Sequence, residues 1–170
     1  MTVLPGPPKD AVDLSFEPIH EGWSIYRTKD DVLIKIRLIV LHFKLAGIKE
    51  DGSAMLALGG NLMFAITAPK KGPPTTQAMT NEQIVAAIVE PDVAFDTVKE
   101  DWNEYNVEGT KVGVKVVVTV IAKTSLFDAN GDPIYNVNHQ SIVRAVTKPE
   151  DKAKFQKIWS ERQPQNTKAP

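Results

Sequence analysis

Residues 16–26 and 95–105 repeat one spacing. The first stretch reads Phe16-Glu17-Pro18-Ile19-His20-Glu21-Gly22-Trp23-Ser24-Ile25-Tyr26, and the second reads Phe95-Asp96-Thr97-Val98-Lys99-Glu100-Asp101-Trp102-Asn103-Glu104-Tyr105. Phe, Glu, Trp and Tyr recur at a constant offset of 79. The same offset carries Lys44 onto Lys123 and Asp51-Gly52 onto Asn130-Gly131. It also keeps apolar class from Leu14 to Val93, Ile19 to Val98, Leu56 to Tyr135 and Leu58 to Val137. Two of the three tryptophans fall in register, which chance seldom gives for so rare a residue. Self-similarity at a fixed period means that one supersecondary unit is used twice, and such a unit buries its apolar face against its neighbour. The chain is therefore expected to be a diverged tandem duplication.

Within each copy the apolar residues alternate. Ile34, Ile36, Leu38 and Val40 are spaced by Lys35 and Arg37, and Val114, Val116, Val118 and Val120 by Lys115, Val117 and Thr119. A period of two in β-branched residues favours strand over helix. Matched by residue type, these runs align at an offset of 80, one more than their flanks, with the extra residue placed in the turn after Tyr26 or Tyr105. A one-residue slip inverts the faces of a strand, so the return to 79 calls for a bulge or loop change before Gly52 or Gly131. Residues 50–53 and 128–133 read as hairpin turns supplying a residue able to take positive φ. A third strand follows in each copy, interrupted by Gly59-Gly60 or Asn138-His139, the mark of a bulge or a close backbone approach. An edge strand is expected over residues 14–19 and again over 93–98.

These units leave three segments outside. Residues 1–13, with Pro5-Gly6-Pro7-Pro8, read as a flexible extension. Residues 70–92 form a Pro/Gly linker in which Thr80 and Gln83 suit a capping box ahead of Ile84, with strand as the second choice because of the β-branched content. After Pro149, Glu150 and Asp151 favour a helix N-terminus, and Phe155, Ile158, Trp159 and Arg162 share one side at helical spacing. The expected fold is mainly β: two tandem homologous antiparallel sheet units, sandwich or barrel-like, over 14–69 and 93–148, with a short linker helix, a C-terminal α-helix over 149–162 and a disordered tail over 163–170. Each unit alone buries one face and is marginal, so the two should pack together.

Composition narrows the chemistry. Twenty basic residues against twenty-one acidic ones give a formal charge of −1, which argues against a dedicated nucleic-acid binder. With no cysteine there is no disulfide, thiolate nucleophile or Cys-ligated metal. No secretory signal opens the chain, and the longest uncharged run, residues 55–69, falls short of the roughly 20 apolar residues of a spanning helix. A cytoplasmic protein, or part of an intracellularly assembled particle, is the expectation.

The acidic turn at 128–132 places its glycine one step early for a calcium loop, and position twelve would be His139 rather than glutamate, so it reads as a hairpin. The three histidines, His20, His42 and His139, show no metal-binding spacing, and none recurs at offset 79. His139, in the interrupted strand, is the one weak polar-site candidate. No nucleophile elbow or phosphate-binding glycine loop occurs. The reading is thus not an enzyme, with no catalytic residue, metal or cofactor. Instead, Trp23, Tyr26, Trp102, Tyr105, Phe155, Ile158 and Trp159 are interface candidates. Their role is core packing or contact with a protein partner, self or heterologous. The function expected is a non-catalytic structural or accessory subunit that assembles through sheet edges and the terminal helix. The alternative is a small-molecule or peptide-binding barrel or chaperone-like sandwich with a cavity between the copies, lined by residues such as Leu38, Phe64, Val118 and Val143.

Overall fold

The computed structural model describes residues 2–3, 10–144 and 148–162. Its strands are β1 (Thr2–Val3), β2 (Val12–Leu14), β3 (Phe16–His20), β4 (Ser24–Thr28), β5 (Leu33–Ile48), β6 (Ala54–Thr67), β7 (Ile88–Glu90), β8 (Phe95–Lys99), β9 (Asn103–Val107), β10 (Thr110–Phe127) and β11 (Pro133–Val143). Two helices join them, α1 (Asn81–Ala86) and α2 (Pro149–Arg162). The chain is mainly β, with two antiparallel sheets packed as a sandwich and a C-terminal helix, as the alternation of apolar residues implied. No helix among the described residues is long and apolar enough to cross a membrane.

The first sheet runs β1-β6-β5-β4-β8, with β2 also on β5, and the second runs β11-β10-β9-β3, with β7 also on β10. Strands β3 and β8 are therefore exchanged: β3 pairs with β9 of the second half, and β8 pairs with β4 of the first. Each expected edge strand is in fact two pieces. Val12–Leu14 stays on β5 of its own half, and beyond Ser15 the chain crosses to the other sheet. Val93 likewise bonds to Ile121 through its amide before β8 crosses the opposite way. Reciprocal bonds fix both crossings. The Lys29 amide donates to the Ala94 carbonyl at 3.1 Å, and the Glu108 amide donates to the Ser15 carbonyl at 3.0 Å. The burial patterns of β3 and β8 match residue for residue, as do those of β4 and β9.

The long strands correct the sequence register. Tyr26 faces Ile34 whereas Tyr105 faces Val112, so β5 and β10 align at an offset of 78 rather than 80. The turn in the second half is one residue shorter, not longer. It is a two-residue hairpin at Glu108-Gly109 with both φ angles positive, at 49° and 80°. That is the pairing of signs that suits the twist of antiparallel strands. Matching Val with Ile by type failed here because alternating β-branched residues look alike after a shift of two. The return to 79 does occur where expected, through an added irregularity in β10 between Lys123 and Phe127. Gly52 and Gly131 then take positive φ in the two hairpins.

Bulges also fall at the interrupted third strands. Between Val40 and His42 the register shifts opposite Gly60 and Gly59, and between Val118 and Val120 it shifts opposite His139 and Asn138. A Cβ on Gly60 would overlap the Ile39 carbonyl oxygen, and one on Gly59 would overlap the His42 ring. In the linker, the Thr80–Gln83 capping box forms and α1 ends at Ala86, after which residues 88–90 become strand. Both readings of that segment are realised in succession. Residues 2–3 and 12–13, within the extension expected to be flexible, also contribute strand. The Pro5–Pro8 stretch and the tail at 163–170 lie outside the described residues.

Between the sheets lies one apolar cluster drawn from both halves, including Ile34, Ile36, Leu38, Phe43, Leu45, Val112, Val114 and Ile121. Helix α2 packs on β5 and β6 and adds Phe155 and Ile158 to it.

Candidate functional site

The connectors between exchanged strands meet where the halves cross. Gly22 and Asp101, equivalent at offset 79, stand against each other, so that a Cβ on Gly22 would lie 3.1 Å from Asp101 Oδ2. The Gly22 amide donates to Asn103 Oδ1 at 2.9 Å. Beside them are two matching triads. The Tyr26 hydroxyl donates to Glu100 Oε1 at 2.8 Å, and Glu100 meets Lys115 Nζ at 3.4 Å. The Tyr105 hydroxyl donates to Glu21 Oε1 at 3.1 Å, and Glu21 meets Arg37 Nη2 at 3.3 Å. Each carboxylate thus comes from one half, and its tyrosine from the other.

The tyrosines of the Trp-x-x-Tyr repeat lie inside the fold. Tyr26 and Tyr105 are fully buried. Burial first, and then the adjoining carboxylates, push both phenols far above their ordinary range. Tyr26 stacks edge-on against Phe95, and Tyr105 against Phe43 and Phe16. The tyrosines therefore join the two halves of the chain internally and present no outward platform. Trp102 is half-buried, with the Arg144 guanidinium 4.3 Å and Lys115 Nζ 5.7 Å from its ring centroid, a cation–π arrangement. Trp23 is half-buried just ahead of β4. Phe155 is fully buried, Ile158 is 7% exposed and Trp159 packs against the same core. Phe155, Ile158 and Trp159 of α2 thus pack within their own fold.

His139 lies opposite Val118, whose side chain is buried. Directly opposed residues of an antiparallel pair share a face, so His139 is on the inner side of β11. Its Nδ1 is buried without a hydrogen-bond partner. Desolvation lowers its pKa, the backbone at Val137 opposing in part. No catalytic partner is brought to it. The nearest histidine–carboxylate approach joins other residues, His20 Nε2 and Asp101 Oδ2 at 3.9 Å. Among the described residues no group of three His, Asp or Glu is placed to hold a metal. In the turn at 128–132, Asp128 Oδ1 accepts the Asn130 and Asp132 amides at 2.8 and 2.9 Å, which occupies it with closing the hairpin.

The residues expected to line a cavity between the copies are distributed differently. Leu38 and Val118 are buried in the core cluster. Phe64 instead lines an open cleft of about 450 Å³ beside α1, together with Met79, Ile84 and Val137. Sequence reasoning noted Glu21 and Glu100 as repeated residues but did not read them as functional. The available signal was their retention between the repeated Phe and Trp. Their cations gave none, since Arg37 and Lys115 match at offset 78. Compared with family models, with curated proteins and with solved structures, the chain matches none.

Proposed function

We propose that the protein is a non-catalytic assembly subunit, built by tandem duplication, that pairs with a second copy of itself along the outer edge of β11. The observation that carries this reading is an inequality between equivalent edges. The outer edge of β6 holds β1, with Thr2 opposite Leu62 and Val3 opposite Asn61. At the equivalent edge residues, Gln140 and Ser141, β11 has no outer strand among the described residues. Edge strands invite pairing unless charge, proline or cover blocks them. The exchanged edges carry such blocks, Glu17 and Pro18 in β3 and Asp96 and Lys99 in β8. From Tyr135 to Val143, β11 has no formally charged side chain and no proline, and Ile142 is 44% exposed. Two antiparallel copies of one neutral strand form a self-complementary two-fold contact that buries no unpaired charge.

The duplication is supported by the reciprocal Tyr–Glu bonds and the matched crossings. The non-catalytic reading is supported by the commitment of Glu21 and Glu100 to internal tyrosines and cations.

Native mass spectrometry and light scattering test the assembly. The expected result is a dimer for the full chain and a monomer for Ile142→Lys, with the far-ultraviolet circular dichroism unchanged. A monomeric parent at tens of micromolar, or a folded Ile142→Lys variant that still dimerises, overturns the edge pairing.

A further inference from the structure

Where the linker crosses the second hairpin, a cleft of about 420 Å³ opens at the end of the sandwich. Val32, Phe127, Pro133 and Tyr135 form its apolar wall. The opposite end of the molecule has the same strand geometry but a different filling. There the cross-strand pair Leu45–Leu56 takes the place that Lys123–Tyr135 holds here. Helix α2 completes that end by burying Phe155 and Ile158 in the same cluster as Leu45. At the linker end, residues 70–72 correspond at offset 79 to the start of α2, but they are Lys70-Lys71-Gly72 in irregular chain. Gly72 lies so close on the Phe127 ring that a Cβ would overlap it. The chain thus seals one hollow with an aromatic ring and a branched aliphatic group, and leaves its counterpart open.

The open hollow is also the charged one. Lys71 pairs with Asp132, and Lys123 Nζ lies 3.1 Å from Asp30 Oδ2. Among the described residues no carboxylate lies within ion-pair distance of Lys70, which leaves one lining cation over. Tyr135 is only 8% exposed, and no group meets its hydroxyl with hydrogen-bond geometry. Burial pushes that phenol's pKa up, while Thr28 and Lys123 nearby oppose the shift in part. A buried polar group without a partner in a native fold calls for an explanation, and an unseen ligand is one.

We infer that this cleft binds a small organic carboxylate with an aromatic or unbranched aliphatic body. The body lies on the Phe127–Tyr135 wall, in the position that Phe155 and Ile158 take at the other end, and the carboxylate meets Lys70 at the rim and accepts from the otherwise unpartnered Tyr135 hydroxyl. The volume falls in the range of roughly 300–1,000 Å³ typical of small-molecule sites. The test of this site is separate from that of the proposed edge pairing, whose variant Ile142→Lys lies at the far end of β11 from Pro133.

Decanoate serves as the probe, with decanol as its neutral counterpart, in calorimetric titration and amide chemical-shift mapping of the full chain. Decanoate is expected to bind and to shift the amides of residues 30–32, 70–72 and 133–135. Decanol should bind about tenfold more weakly, as loss of a charge-assisted contact implies. Because Lys70 is exposed, Lys70→Glu should fold normally, weaken decanoate by about tenfold and leave decanol unchanged. Tyr135→Phe keeps the apolar wall and should weaken decanoate alone. No decanoate binding at millimolar concentration, equal binding of decanol, or shifts confined to other surfaces overturns the proposal.

Discussion

The two ends of the sandwich are built on equivalent hairpins and closed by different means. At one, α2 runs from the Glu108–Thr110 turn to the Gly52 hairpin. Thr110 donates to Asp151 at 2.9 Å, Lys154 donates to Thr110 at 2.9 Å, and Gln156 donates to the Gly52 carbonyl at 3.0 Å. These polar contacts pin a helix whose Phe155 and Ile158 fill the hollow. At the other, the linker is held through its backbone instead, with the Gly72 amide on the Gly131 carbonyl at 2.8 Å and the Thr75 amide on the Asp128 carbonyl at 3.0 Å. It brings no large apolar side chain down with it, because the residues there are Lys, Gly and Pro. A segment fastened across the hairpin therefore yields a sealed end in one case and a cleft in the other. The side chains carried by the crossing segment make the difference.

That comparison breaks most visibly at Phe155. Phe155→Ala should cost about 3–5 kcal/mol in chemical denaturation, because it empties a fully buried site. Phe127→Ala, at the open and only half-buried position, should cost about 1–2 kcal/mol. Equal losses would mean that the linker end is as tightly filled as the helix end.

The bulges offer a second, smaller contrast between the halves. Gly60→Ala forces a Cβ against the Ile39 carbonyl and should destabilise by about 1–3 kcal/mol. His139 already carries a side chain at the equivalent place, so His139→Ala should cost less than Gly60→Ala. The reverse order of melting temperatures would show that the two bulges are not equivalent.

The smallest expected effect is a pH dependence that arises at His139. Burial holds the His139 imidazole below its ordinary value of 6.5. The unfolded chain then binds more protons than the folded one at acidic pH. The stability linked to this group is complete above about pH 6.5 and declines as pH falls toward the depressed folded value. Wild type should therefore lose more melting temperature than His139→Gln between pH 7.5 and 5.5, and parallel losses would exclude that contribution.

Much of this architecture was legible one segment at a time. Alternation at 34–40 and 114–120 fixed the long strands, the Gly52 and Gly131 turns fixed the hairpins, and residues 149–162 coincide with α2. These features are local: they follow from side-chain periodicity, caps and the φ demanded by a turn. The candidate site was much less legible. The repeated Glu21 and Glu100 were visible, but nothing in a one-dimensional pattern shows that each reaches a tyrosine of the opposite half. His139 and the aromatic residues were singled out by type, and type does not distinguish a buried anchor from a surface contact.

By itself, then, the sequence determined the β character, the internal repeat at offset 79, the hairpins and the terminal helix. Only the tertiary structure decided that β3 and β8 trade sheets and that the long strands match at 78. It alone decided, too, that α2 turns its apolar side inward. The physical reason is common to all three. Strand pairing and helix docking are chosen by whichever arrangement buries the shared core of both halves and satisfies the crossing backbone, and that choice involves residues roughly 80 positions apart.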